Sequence, residues 1–175
     1  MRRWLGPTLL GLLVAAATAW AAIAHIPYAL MNVAMDRLGQ GGINTMSYGN
    51  LATPERQPVV RPSPDLAYSS CPYDLSKGPV AIDVTPVPGR YSSLSIFDAA
   101  TDVIFVRNDV EAAGKPYRII VAREGQAVPA GAEIVRANHD RGIALIRLLL
   151  KDPTEISALD GVRRQSSCRT VINPK

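Results

Sequence analysis

Val80-Ala81-Ile82-Asp83-Val84-Thr85-Pro86-Val87-Pro88-Gly89-Arg90-Tyr91-Ser92-Ser93-Leu94-Ser95-Ile96-Phe97 is the stretch whose reading decides the fold. Val80, Ile82 and Val84 alternate with Ala81 and Asp83, which puts the three on one face of a strand. Pro86-Val87-Pro88-Gly89 then turns the chain, because proline pre-sets φ and glycine accepts a positive one. Tyr91–Phe97 reads as the next strand. Further on, Val103–Arg107 and Tyr117–Ala122 repeat the pattern, with Gly114-Lys115-Pro116 as the turn between them. Gly125–Gly131 is a loop and Ala132–Arg136 a short strand. Gly142–Leu150 is apolar on both faces apart from Arg147; its length and the nearby turn signals favour a buried strand over a helix. On the N-terminal side Leu66–Cys71 is a short strand, and near the other end Cys168–Ile172 is the last. Asp152-Pro153-Thr154-Glu155 opens the one short C-terminal helix, with Asp152 capping, Pro153 in the first turn and Glu155 reaching back. Gly161 is expected to end it. Closely spaced strands without long helices between them predict a mainly β fold, an antiparallel β-sandwich or open barrel.

The N-terminal part reads differently. Leu5–Ile26 is rich in Leu, Ala, Val and Ile, and no formally charged side chain stands between Trp4 and Met35 unless His25 is protonated. About 20 helical residues cross a hydrocarbon core of roughly 30 Å. Residues 1–26 are therefore expected to be a transmembrane anchor, in contact with the lipid bilayer through 5–26. Arg2 and Arg3 on the short side place the N-terminus in the cytoplasm. The competing reading is a cleaved signal peptide, since Ala17-Thr18-Ala19 and Ala19-Trp20-Ala21 fit a small-x-small cleavage site. Both readings export the remainder. Pro27 predicts a break, followed by a juxtamembrane helix and linker over 27–42 that ends at Gly39-Gln40-Gly41-Gly42. Residues 43–175 form the exported β domain.

At 175 residues, 47% hydrophobic and 19% charged, the chain suits a single folded domain and not a disordered one. Of 19 basic residues two precede the apolar run, so the rest is nearly balanced by 15 acidic ones. Arg163, Arg164 and Arg169 form the densest basic cluster, without interleaved aromatics, and no nucleic-acid partner is expected. Two cysteines and two histidines argue against a zinc site, and no metal or cofactor is expected. Cys71 and Cys168 either pair as a disulfide, as exported cysteines tend to, or remain two thiols in separate strands.

Walker, G-x-G-x-x-G, H-E-x-x-H and G-x-S-x-G motifs are absent. His139, in Asn138-His139-Asp140, reads as a solvated turn residue. The polar stretch to weigh is Arg61-Pro62-Ser63-Pro64-Asp65-Leu66-Ala67-Tyr68-Ser69-Ser70. Asp65 suits a turn cap, and Tyr68 can bury its ring while presenting its hydroxyl. Asp74 and Asp98 add carboxylates. Capping is the first reading of these aspartates. The second makes Asp65, Tyr68 and Asp98 candidate catalytic residues for acid–base work, with Arg61, Asp65, Tyr68 and Arg90 as a candidate ligand-binding set.

That stretch resembles the PNPDTLYS-like signature of the bacterial domain of unknown function 1254 (DUF1254). Asp74-Leu75-Ser76-Lys77-Gly78-Pro79-Val80, Gly89–Leu94, Phe97-Asp98-Ala99, Val128-Pro129-Ala130-Gly131 and Ile143–Leu159 resemble segments that follow it there. The likeness covers about residues 43–172. This sequence departs from the signature at Ser63, Leu66 and Ala67, where Asn, Thr and Leu are usual. The resemblance implies a β-sandwich-like domain and carries no settled activity. Many members hold a second domain, of unknown function 1214, for which this sequence has no room; a separately encoded protein carrying the 1214 domain is then the implied partner. The expectation is a bacterial inner-membrane protein, single-pass with a periplasmic domain. That domain binds a protein partner or an envelope component. The alternative is a hydrolase-like or lyase-like enzyme acting on a small or saccharide substrate.

Overall fold

The computed structural model describes residues 2–53 and 62–171. A helix α1 (Arg2–Leu38) is followed by strands β1 (Ser47–Tyr48), β2 (Leu66–Asp74), β3 (Val80–Val84), β4 (Ser92–Asp98), β5 (Val103–Asn108), β6 (Tyr117–Ala122), β7 (Glu133–Arg136) and β8 (Arg141–Leu149). Helix α2 (Ile156–Arg163) and strand β9 (Ser167–Thr170) complete the described chain. The strands form two sheets, in the order β1-β2-β8-β4-β5 and β7-β6-β3-β9. The fold is mainly β, as the alternation predicts, and the sandwich is the form it takes.

The pairing register explains the core. Opposed residues of an antiparallel pair share a face. Cys71 lies opposite Ala144 on β8, and Ile96 lies opposite Ala144 from the other side. Cys71, Tyr73, Leu94, Ile96, Ala144 and Ile146 thus turn one way and meet Val80, Ile82, Val84, Ile119, Val121 and Cys168 of the second sheet in one buried cluster. A Cys71–Cys168 disulfide crosses this core, with Cα atoms 6.3 Å apart, and ties β2 to β9. Gly142 is required where it stands: a Cβ there would lie 2.1 Å from the Phe97 carbonyl oxygen and 2.4 Å from the Tyr73 hydroxyl. That hydroxyl donates to the same carbonyl at 2.8 Å, so the site is already full.

Four expectations need correction. The chain does not break at Pro27; α1 is one helix of 37 residues that contains both Pro7 and Pro27. Proline removes one helical hydrogen bond. Against that loss, the last turns bury Met31 and Met35 with Ile143, flanked by Ala34, Leu38 and Phe97. The helix ends at Gly39, whose amide donates to the Met35 carbonyl at 2.8 Å and whose missing Cβ leaves room for Pro72. Second, not every pair is antiparallel, because β7 joins β6 in parallel. Third, Gly161 does not stop α2, which runs on to Arg163. Asp152 does cap the preceding 3-10 turn, accepting from the Thr154 amide at 2.8 Å, and Glu155 accepts from the Lys151 amide at 3.0 Å. Fourth, β2 passes through Pro72 to Asp74. The Pro72 carbonyl accepts from Asn44 on the side away from β8, so the missing proline donor falls where no strand needs it.

Candidate functional site

The same register locates the sequence-derived candidates. Leu66 pairs with Leu149, and Asp98 pairs with Gly142. The two pairs lie seven positions apart along β8, about 23 Å at strand rise. Asp65 and Arg90 stand at one end of the sandwich and Asp98 at the other. Paired acid–base carboxylates work about 5–9.5 Å apart, so Asp65 and Asp98 are not brought to one substrate. Asp65 caps nothing among the described residues: its side chain is exposed, and only its backbone carbonyl is engaged, by the Leu150 amide at 2.9 Å. Arg90 is occupied by Glu155, with contacts of 2.6 and 3.3 Å. Tyr68 lies on the outer face of the five-stranded sheet, its hydroxyl accepting from the Ser63 amide at 3.1 Å. Arg61 falls outside the described residues. Two cavities, of about 230 Å³ beside α2 and about 680 Å³ over β6, are lined by other residues.

What the fold does assemble is centred on Asp98 and His139. Asp98 is 1% exposed. One carboxylate oxygen accepts from the amides of Ala100 at 2.9 Å and Asp102 at 3.1 Å, which shapes the β4–β5 turn. Thr101 in that turn holds φ at 68°, a costly conformation for a β-branched residue. The other carboxylate oxygen lies 2.9 Å from His139 Nδ1. With Nδ1 protonated toward Asp98, Nε2 is free to accept, and the Tyr28 hydroxyl of α1 lies 3.2 Å from it. The rings meet edge to face with centroids 5.5 Å apart. Burial first, and the Asp98 charge second, push the neighbouring Tyr73 hydroxyl well above its ordinary value, so it stays a donor. The arrangement is a carboxylate–imidazole–phenol relay between a buried turn and the long apolar helix. Residues 28, 98 and 139 share no local pattern, and sequence reading missed the grouping.

The basic cluster near the C-terminus is engaged internally. Arg163, 5% exposed, binds Asp160 and donates to the carbonyls of Gly49 at 3.1 Å and Tyr68 at 3.2 Å. Arg164 pairs with the other Asp160 oxygen, and Arg169 with Asp83 at 2.6 Å. These arginines bind α2 and β9 to the sheets.

Among solved structures the chain is similar to the VPA0106 protein of Vibrio parahaemolyticus, at 20% identity and a TM-score of 0.57 over 65% of this chain and 31% of that one. It also matches a putative uncharacterized protein from Burkholderia cenocepacia, at 17% identity and a TM-score of 0.49 over 76% of this chain and 36% of that one. The chain thus spans about a third of the length of either protein. No curated protein matches it. The family described as "Protein of unknown function (DUF1254)" matches residues 43–170, the whole β-sandwich together with the turns that hold Asp98 and His139, and the chain belongs to that family.

Proposed function

We propose that this chain is a membrane-anchored module that holds its β-sandwich at a fixed height and orientation over a bilayer, as a docking surface for a second protein. The observation that carries this reading is the unbroken passage of α1 from an apolar span into the domain. The helix over Trp4–Leu38 contains a stretch of mean hydropathy 2.0, none of it buried. Beyond residue 26, twelve residues rise about 18 Å. Their contacts climb in step: Tyr28 meets His139, Asn32 accepts from Arg141 at 3.1 Å, Met35 packs with Ile143, and the Leu38 carbonyl accepts from Ser70 at 3.2 Å. A flexible tether would leave orientation free, whereas these contacts set it. The Asp98–His139 end then faces the bilayer, and the end bearing Asp65, Arg90 and α2 faces away. The implied setting is the bacterial inner membrane with the domain in the periplasm. The partner class is a separately encoded protein carrying the 1214 domain.

Purification of the tagged full chain from detergent-solubilised membranes tests this. One co-purifying protein in near-stoichiometric amount, identified by mass spectrometry as carrying the 1214 domain, is the expected result. A chain recovered alone under conditions that preserve membrane complexes refutes it. The Asp98–His139–Tyr28 relay is the one observation favouring the hydrolase-like alternative, since a carboxylate-held imidazole is the base of nucleophilic catalysis.

A further inference from the structure

The outer face of the five-stranded sheet carries a cation with no counter-charge among the described residues. Arg147 pairs in register with Tyr68 on β2 and Ser93 on β4, so the three side chains share the face on which α1 ends. Along β8 the helix covers the row of Ile143 and Phe97 and stops short of Arg147. Arg147 is half-buried. A guanidinium has five N–H donors. Among the described residues it uses one contact, to Ser95 Oγ at 3.3 Å, and forms no ion pair. Every other arginine in the sheets has a carboxylate or carbonyl partner: Arg107 has Glu133, Arg118 has Asp83, Arg136 has the Arg123 and Gln126 carbonyls, Arg141 has Asn32 and Arg169 has Asp83. Beside Arg147, Ser93 is 5% and Ser95 3% exposed. Ser93 makes no side-chain hydrogen bond among the described residues, although the register aims it at the same face. Holding a charge half-buried without a counter-charge is costly, and the Ser93 hydroxyl beside it is left with a proton to donate. The rim is apolar: Tyr91 is 49%, Leu149 43% and Val106 57% exposed. The Leu149 amide donates to the Tyr91 carbonyl at 2.9 Å, which sets those two side by side at the edge.

We infer that Arg147, Ser93, Ser95 and Tyr68 form a binding site for an organic anion, a carboxylate or phosphate group on an apolar body. The guanidinium takes two anion oxygens, as its planar fork does. Ser93 Oγ, and the Tyr68 hydroxyl proton left free when its oxygen accepts from Ser63, donate to the remaining lone pairs. Tyr91 and Leu149 cover the apolar body. The site lies away from the α1 contact and does not depend on the docking reading.

The test uses the full chain in nanodiscs, titrated with phenyl phosphate and with phenylacetate, against benzyl alcohol and sodium chloride at matched ionic strength. The two anions separate a phosphate ligand from a carboxylate one. We expect saturable binding of at least one anion and a raised unfolding temperature, with no response to the alcohol. In Arg147→Gln the affinity falls about tenfold or more, the loss typical of a charge-assisted contact. In Ser93→Ala it falls a few-fold. Circular dichroism of each variant verifies the sandwich. The inference is overturned if neither anion stabilises the wild-type chain beyond chloride, or if Arg147→Gln binds as tightly as wild type. Should Arg147→Gln not fold, Ser93→Ala decides, and wild-type affinity in that variant overturns it.

Discussion

Replacing both cysteines, Cys71→Ala with Cys168→Ala, removes the disulfide that ties β2 of one sheet to β9 of the other. Its size follows from the chain it closes. The sequence separation is 97 residues. The loop-entropy relation for a closure of that length restrains the unfolded ensemble by about 4.7 kcal/mol at room temperature. Both sites lie in the core, with Cys71 0% and Cys168 7% exposed, so the variant also loses sulfur packing. A loss of about 4–5 kcal/mol is expected, a large share of the ~5–15 kcal/mol available to a domain. The assay needs a probe of the sandwich. Both tryptophans, Trp4 and Trp20, lie in α1 and are exposed there, so their emission reports the membrane segment. Near-ultraviolet dichroism of the tyrosines, or β-sheet dichroism, serves instead. Urea titration of the full chain in detergent, wild type against double variant, gives the difference directly. A midpoint unchanged within about 1 kcal/mol, or two free thiols in denatured and unreduced wild-type protein, would refute the reasoning.

Gly142→Ala should cost about 2–4 kcal/mol or prevent folding, because the new Cβ has the Phe97 carbonyl 2.1 Å away and the Tyr73 hydroxyl cannot retreat without losing its bond; a urea midpoint near wild type would contradict this. Arg163→Met takes its donor from the Gly49 carbonyl and one of two donors from the Tyr68 carbonyl, which keeps the Gly49 amide, and should destabilise by about 1–3 kcal/mol, read by the same titration. Asp65→Ala, by contrast, removes a side chain with no hydrogen bond among the described residues, and stability should change by less than about 0.5 kcal/mol; a loss above 1 kcal/mol would restore the capping role. For pH, burial alone raises Asp83 and Asp160. The guanidiniums of Arg118 and Arg169, and of Arg164 and Arg163, outweigh it and hold both below the ordinary 3.8. A folded-state value below the unfolded one stabilises above the unfolded value and is lost as pH falls through the folded one. The urea midpoint should therefore be level at neutral pH and drop below about pH 4; a midpoint that rises on acidification from pH 5 to 3 would overturn the sign.

The sequence alone determined the features that depend on neighbours a few residues apart. Alternation at Val80, Ile82 and Val84 requires a strand with one apolar face, and Asp152-Pro153 requires a helix start, whatever surrounds them. The apolar length of Leu5–Ile26 likewise depends on composition alone. The tertiary structure decided whatever rests on packing across distance. Pro27 is locally a breaker, yet the contacts of Met31 and Met35 with Ile143 carry the helix through it. Asp65 looks like a cap locally, but the Leu150 amide reaches its carbonyl and leaves the carboxylate in solvent. Asp98 and His139 lie far apart in sequence and meet because β4 and β8 pair side by side, ending in adjacent turns. Arg147 reads in the sequence as the one blemish in an apolar strand. Only the sheet register shows it standing between Tyr68 and Ser93, without a counter-charge among the described residues, because a strand's two faces look alike until their coverings are known.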